Sequence, residues 1–133
     1  MYITLESDYA IRIVLHLCRA GCRLDARTLS EKTGVTLRFA LKIMRKLVSE
    51  GIVKSFKGTQ GGYELAKKPE EISLRDVIET VEGQYYLSRC LAPDVDCTRQ
   101  KEPGETCKVQ AVFCEVSKVV RQRLSEATFD KLV

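Results

Sequence analysis

Four of the six cysteines lie in one short stretch, RCLAPDVDCTRQKEPGETCKVQAVFCEV, at positions 90, 97, 107 and 114. Thiols grouped in this way act as disulfide staples, as metal ligands or as chemical sensors. The gaps of six, nine and six residues contain no Cys-x-x-Cys pair, which disfavours a structural zinc site, and they differ from ferredoxin spacings. Because prolines interrupt the stretch, we expect a loop, and thiols on a loop can converge from any spacing.

The expected cellular setting helps to separate these possibilities. No window contains the roughly 18 apolar residues of a membrane span, and the opening MYITLESDYAIR lacks a secretory signal pattern. We therefore expect a cytoplasmic protein without membrane association, in which thiols stay reduced. Metal binding or redox sensing is favoured over disulfide staples.

Charge is divided unevenly along the chain. The 133 residues are 44% hydrophobic and 30% charged, as in a single globular domain. Residues 1–68 carry 13 Lys or Arg against 6 Asp or Glu, whereas residues 69–133 carry 9 against 12. The first half is the candidate surface for a polyanion, unless its charges only solvate the surface.

Apolar periodicity and helix-capping residues predict three helices in the first half. The first begins near Ser7 or Asp8 and ends at Gly21, the second follows Asp25, and the third is capped by Thr36. The short turn TGVT joins the second helix to the third, which predicts a helix-turn-helix.

The following segments predict a wing, a fourth helix and a long final helix. IVKSF, the turn KGTQGG and YELA form a hairpin pattern, and Ser73 caps a helix that ends near Gly83. The last 26 residues predict a helix whose apolar surface pairs with a second copy or covers the winged domain. The predicted fold is mainly α with a small β-hairpin wing: a winged helix-turn-helix domain (residues 1–83), a cysteine-bearing loop (84–107) and a dimerisation helix (108–133), together one compact domain.

The face of the third helix opposite its apolar stripe is suited to reading DNA. Its Arg and Lys side chains recur at helical spacing and can reach guanine edges or phosphates, and its aromatic ring can meet a thymine methyl. Basic side chains on the wing can contact the DNA backbone, and its glycines permit a close approach. The residues predicted to bind a double-stranded operator are Thr36, Arg38, Phe39, Lys42, Arg45, Lys46, Lys54, Lys57 and Gly61.

Several segments together resemble the Rrf2-type family of bacterial regulators. They are MYITLESDYAIR, TLSEKTGVTLRFALKIMRKLVSEGIV, FKGTQGGYELAKKPEEISLRDVIETVEG, and three cysteines before a long helix ending TFDKLV. The resemblance runs essentially from Met1 to Val133 and implies a homodimeric winged-helix repressor or activator whose long helices cross at the dimer interface. In cluster-binding members three cysteines hold an Fe–S cluster, [4Fe-4S] or [2Fe-2S], and these match Cys90, Cys97 and Cys107.

The chain departs from one pattern of the family and follows another. Iron–sulfur regulators of the family have five residues between the second and third cysteines and a histidine three positions later; this chain has nine residues and Gln110. The family's nitric-oxide sensors take an aspartate from the first helix of the partner subunit, and Asp8 stands at the matching place. Asp8 is thus the predicted fourth ligand, with a helix cap as its alternative role, and Cys114 is the runner-up ligand, otherwise packing on the final helix.

These expectations combine into a hypothesis of a switched regulator. DNA affinity would depend on an Fe–S cluster that senses redox state, nitric oxide or cluster supply, with no small-molecule substrate beyond such a signal. The alternative is a cluster-free regulator whose thiols sense oxidants or which responds to a protein partner. An enzyme is disfavoured because no Cys-x-x-Cys or Cys/His pair is visible beside a cleft. The remaining candidates for chemistry are interpreted as structural: Cys18, Cys22 and His16.

Overall fold

The computed structural model describes residues 2–99 and 102–133. The described elements are α1 (Leu5–Ala20), α2 (Ala26–Thr33), α3 (Leu37–Ser49), β1 (Val53–Phe56), β2 (Gly62–Leu65), α4 (Leu74–Glu82) and α5 (Lys108–Glu126). Three short 3-10 turns accompany them, at Pro69–Glu71, Arg89–Leu91 and Phe129–Lys131. The predicted class, mainly α with a hairpin wing and a long final helix, is confirmed. Across both described ranges, no helix combines the length and the apolar character needed to cross a bilayer.

Local capping signals set most helix boundaries. The side chains of Asp25 and Thr36 accept hydrogen bonds from backbone N–H groups in the first turns of α2 and α3, as predicted. The predicted start of α1 is wrong, because Thr4, and neither Ser7 nor Asp8, is its N-cap. All three types cap helices well, but the Ser7 hydroxyl is buried and donates to the carboxylate of Glu82 on α4. A tertiary contact therefore uses the residue that local rules would make a cap.

The hydrophobic core surrounds α1, which packs against α2, α3 and α4. Each of these four helices contributes the apolar stripe that faces the core. The largest side chains wholly excluded from solvent include Ile13, Leu17, Leu29, Ile43, Met44, Leu47, Val77 and Phe129.

The wing is an antiparallel hairpin with a third segment beside it. Val53 pairs with Leu65 across the two strands. Leu24, in the loop between α1 and α2, then exchanges backbone hydrogen bonds of 2.9 and 2.7 Å with Tyr63. Gly62 adopts φ 141°, and a Cβ there would lie 2.5 Å from the carbonyl oxygen of Leu24. The α1–α2 loop and the wing therefore approach too closely for any residue but glycine at this position.

α5 is attached to the rest of its own chain through polar contacts. The buried Ser117 hydroxyl accepts a hydrogen bond from the backbone N–H of Leu87 at 2.9 Å. Arg121 Nε lies 3.1 Å from Glu79 Oε1 on α4. The apolar stripe on the opposite side of the helix is exposed and consists of Val109, Val112, Val116 and Val119. In this chain, that stripe does not cover the winged part of the protein.

The chain returns to the core after α5. Phe129 is fully buried, and its backbone N–H donates to the carbonyl oxygen of Ile72 at 2.9 Å. The backbone N–H of Leu74 donates in turn to the carbonyl oxygen of Ala127 at 2.9 Å. This return fixes the far end of α5 beside the start of α4.

Candidate functional site

α3 has one buried face and one exposed basic face. Ala40, Ile43, Met44 and Leu47 are excluded from solvent, while Arg38, Lys42 and Arg45 project outward. α2 ends at Gly34 in the left-handed conformation, φ 72°, and Thr36 starts α3 two residues later. A second helix held in this way, with basic side chains along its outer face, has the geometry that enters the DNA major groove.

Three side chains predicted to bind DNA contact α1: the half-buried Phe39 and Lys46, and the exposed Lys42, whose Nζ lies 3.7 Å from a carboxylate oxygen of Glu6. Phe39 packs edge-to-face against Tyr9 of α1, with ring centroids 5.4 Å apart. Lys46 Nζ lies 2.8 Å from a carboxylate oxygen of Glu6 and 3.5 Å from the carbonyl oxygen of Val81. Phe39 and Lys46 hold α3 against its neighbours, and the contact of all three side chains with DNA stays a prediction.

The wing presents its predicted side chains beyond α3. Lys54 and Lys57 are exposed, one on β1 and the other at the start of the turn. The turn is closed by a hydrogen bond of 3.0 Å from the N–H of Gly61 to the carbonyl oxygen of Gly58. A Cβ at Gly61 would lie 2.6 Å from the carbonyl oxygen of Phe56, so this position requires glycine for packing reasons.

Two of the three predicted cluster cysteines lie beside one residue, Gln110. Cys107 is the N-cap of α5, and its Sγ accepts from the N–H of Gln110 at 3.4 Å and from Arg99 at 3.3 Å. The Gln110 side chain donates to the carbonyl oxygen of Cys90 at 3.1 Å. Cys90 Sγ is 3.3 Å from the Ser88 hydroxyl. Gln110 thus joins two half-buried cysteine segments that are distant in sequence.

The third cysteine, Cys97, lies exposed in the loop. In the described ranges, no three His, Cys, Asp or Glu side chains are placed to hold a metal ion together. Three thiols, one of them at a helix N-terminus, have the donor chemistry that an Fe–S cluster requires. The donor types therefore suit such a cluster, whereas the three thiols do not converge on one point within the described ranges.

Asp8 is half-exposed on α1, where its Oδ2 lies 2.7 Å from the Arg12 guanidinium. The alternative that it caps the helix is wrong, because Thr4 does so. Its role as a ligand stays a prediction, as does that of the half-buried Cys114.

The other candidates for chemistry differ in their exposure. Cys18 is half-buried against the core, and burial raises the pKa of its thiol to about 11. Cys22 is exposed, and His16 is half-buried within α1. No disulfide joins any two of the six cysteines, all of which lie in the described ranges.

Three residues that organise these surfaces were not predicted from the sequence. Glu6 pairs with Lys46, Arg23 contacts the wing, and Gln110 joins two cysteine segments. Only Gln110 carried a local signal, since it stands three positions after Cys107, where its N–H is available to a helix cap. The partners of the other two are distant in sequence.

Comparison with known proteins decides the family. The family model described as "Rrf2: Iron-dependent Transcriptional regulator" matches residues 3–133. The chain belongs to the Rrf2 family. Among its Rrf2-type relatives, the HTH-type transcriptional regulator NsrR of Shouchella clausii is 27% identical over 100% of this chain and 89% of its own.

Two solved structures show the same fold. IscR of T. potens and CymR, the global cysteine regulator of B. subtilis, each match with a TM-score of 0.77 at 20% identity. Each match covers 99% of this chain, together with 85% of the IscR chain and 95% of the CymR chain. Both likenesses concern the fold alone.

These findings confirm the resemblance and the winged-helix class. Members of the Rrf2 family are DNA-binding transcriptional regulators and not enzymes, and this chain is a regulator of that type. These relatives differ in what regulates them: the family model is described as iron-dependent, and one structural neighbour is a cysteine regulator. The signal is therefore a separate question from the fold.

Proposed function

We propose that this protein acts as a homodimer that binds a double-stranded DNA operator through α3 and the wing of each copy. This proposal is supported by the two faces of α3: one face is apolar and wholly buried, and the other exposes the basic side chains of Arg38, Lys42 and Arg45. The exposed wing lysines extend the same basic surface. Phosphate contacts would position the protein, and contacts to base edges would select the operator.

The exposed stripe of α5 supports the homodimer. Four valines on one side of a long helix are open to solvent, while the polar contacts on the other side attach α5 to its own chain. A second copy related by a twofold axis would cover this stripe with the same stripe. Two recognition helices would then lie at a fixed spacing, as palindromic operators require.

The DNA proposal is tested with a duplex selected from a random pool by the full-length protein. We expect Arg38→Ala to weaken binding to the selected duplex by about 1–3 kcal/mol if the side chain reads a guanine. Lys42→Ala would reduce the magnitude of the slope of log binding constant against log salt concentration by about 0.9 for each lost phosphate contact. Lys118→Ala, at an exposed position of α5, is the matched control and should leave both quantities unchanged. Equal effects of all three substitutions would contradict the proposed surface.

We further infer that an Fe–S cluster controls DNA affinity, held by Cys90, Cys97 and Cys107 with Asp8 of the partner subunit as fourth ligand. The adjacency of Cys90 and Cys107 around Gln110 supports this assignment. When bound, the cluster would supply a centre that reacts with oxidants or nitric oxide. The chain's own residues prepare the site: Gln110 joins the two segments, and the Arg99 guanidinium places positive charge beside Cys107.

The cluster proposal is tested on protein purified without oxygen. We expect visible absorption bands with matching iron and sulfide contents, loss of iron in Cys107→Ala and altered bands in Asp8→Ala. Cys22→Ala removes an exposed thiol outside the proposed site and should keep the wild-type spectrum. Iron and sulfide below one equivalent in the wild type would refute the cluster.

A cluster-free thiol sensor is the second candidate. The exposed position of Cys97, and the lack of a converged ligand set among the described residues, favour it. Peroxide would then oxidise two thiols to one disulfide, each thiol losing a proton and an electron, with water as the reduced product. Thiol counts on full-length protein before and after mild peroxide would fall by two per chain, with no iron present.

A further inference from the structure

We propose that Arg23 is a positioning residue that fixes the conformation of the wing. Arg23 lies in the loop between α1 and α2, outside the helix-turn-helix and the wing themselves. The expected effect of Arg23 on DNA affinity rests on the proposed function, whereas the anchoring of the wing can be measured without DNA.

The Arg23 side chain contacts three successive parts of the hairpin. Its guanidinium carbon lies 3.3 Å from the centroid of the Phe56 ring, at the end of β1. One of its terminal nitrogens donates to the carbonyl oxygen of Gln60, in the turn, at 3.0 Å. Its Nε lies 3.8 Å from a carboxylate oxygen of Glu64, on β2. One side chain therefore connects both strands to the turn between them.

The hairpin requires such support because it is small. β1 and β2 have four residues each, and an isolated two-stranded hairpin is at best marginally stable in water. The backbone pairing of Leu24 with Tyr63 holds the start of β2, one residue from the turn. Arg23 adds side-chain contacts to the end of β1 and to the turn itself.

The contacts of Arg23 lie on both sides of Lys57. Phe56 directly precedes Lys57, and Gln60 follows it by three residues. Fixing those two neighbours fixes the backbone from which Lys57 projects toward DNA. A flexible turn would have to be ordered during binding, at a cost in affinity.

The chemistry of the contacts requires arginine specifically. The pair with Glu64 is long and partly exposed, so it contributes little. The stacked ring and the carbonyl acceptor use the planar, multidentate guanidinium, which lysine does not have. Arg23→Lys therefore keeps the positive charge but removes the planar group that stacks on Phe56 and donates to Gln60.

The first experiment measures hydrogen exchange of the full-length protein without DNA. In Arg23→Lys and Arg23→Gln, we expect the wing-turn amides, including that of Gly61, to exchange roughly tenfold faster, from loss of the stacking and one hydrogen bond. Amides of α1 and α3 should keep their rates. Arg19→Lys and Arg19→Gln, at an exposed position in the last turn of α1, are matched controls. Unchanged exchange in the wing would overturn the proposal.

The second experiment separates positioning from direct DNA contact. Affinity for a selected duplex is measured for Arg23→Lys, for Lys57→Gln and for the double variant. We expect each single variant to bind the duplex about fivefold to tenfold more weakly than the wild type. The affinity loss of the double variant should be much smaller than the product of the two single losses, because Arg23 acts through Lys57. Fully additive losses would overturn the positioning role. A wild type that binds no duplex would refute the proposed function, while the exchange experiment would still decide the anchor.

Discussion

Truncation of the exposed α5 valines should weaken dimerisation by an amount that follows from their exposure. Val112 and Val119 are 60% and 59% exposed in the single chain. Val→Ala removes the equivalent of two methylenes, about 1.6 kcal/mol at full burial, of which roughly 1 kcal/mol corresponds to surface still available to a partner. Since a twofold interface contains each position twice, each substitution should cost about 2 kcal/mol per dimer.

These energies correspond to measurable dissociation constants. A loss of about 2 kcal/mol raises the dimer dissociation constant roughly 30-fold, and the Val112→Ala/Val119→Ala double variant should raise it about a thousandfold. Sedimentation equilibrium over a range of protein concentrations measures the constant, and far-ultraviolet circular dichroism checks that the helices persist. Val133→Ala is the control, since Val133 is 57% exposed but lies outside α5.

Two results would refute this reasoning. If the double variant dimerised as tightly as the wild type, the stripe would not be the interface. If Val133→Ala weakened dimerisation as much as Val112→Ala, exposure alone and not position on α5 would explain the effect.

Three further predictions concern the single chain. Ser73→Ala removes the side-chain half of a capping box with Asp76 and should lower the free energy of unfolding in urea by about 1 kcal/mol. Gly62→Ala introduces a Cβ 2.5 Å from the Leu24 carbonyl oxygen at φ 141°, and should speed amide exchange in the wing while weakening DNA binding. Burial raises the pKa of the Cys18 thiol from 9.0 to about 11. As pH rises, the unfolded chain therefore loses this proton at a lower pH than the folded chain does. Stability should therefore fall as pH rises from about 9 to about 11, and Cys18→Ala should remove that component.

Each of these predictions has a matched comparison. Ser125→Ala changes a half-buried serine near the end of α5, whose hydroxyl donates only to the carbonyl oxygen of Gln122 within the same helix, and should change unfolding in urea less than Ser73→Ala does. Gly58→Ala has φ 95° but no atom within 4 Å of its added Cβ, so it tests strain without the close contact. Cys22→Ala should leave the alkaline dependence intact, and an equal change in both cysteine variants would contradict the assignment to Cys18.

Local signals in the sequence predicted most elements, and tertiary contacts account for the differences. The caps of α2, α3 and α4 depend on residues three positions apart, so they could be recognised directly. The start of α1 could not, since residue type favours Ser7 and Asp8 over Thr4 as caps, whereas the Ser7 hydroxyl is used in a contact with Glu82.

The buried and exposed faces of α3 were predictable in outline. Periodicity separates the buried and exposed faces of α3, but it does not show that Lys46 pairs with Glu6. The contact of Arg23 with the wing likewise joins residues more than thirty positions apart. Gln110 hydrogen-bonds to both Cys90 and Cys107, and no spacing rule for cysteines includes a glutamine.

The burial of Phe129 has a consequence for the order in which the protein folds during synthesis. This ring packs into the same core as α1, although the two segments lie near opposite ends of the described chain. While the ribosome is still translating α5, the winged part has a gap where the ring belongs, and contacts of such large sequence separation form slowly. Stable recognition helices, and with them the ability to bind an operator, should therefore appear only after the turn Phe129–Lys131 has been translated.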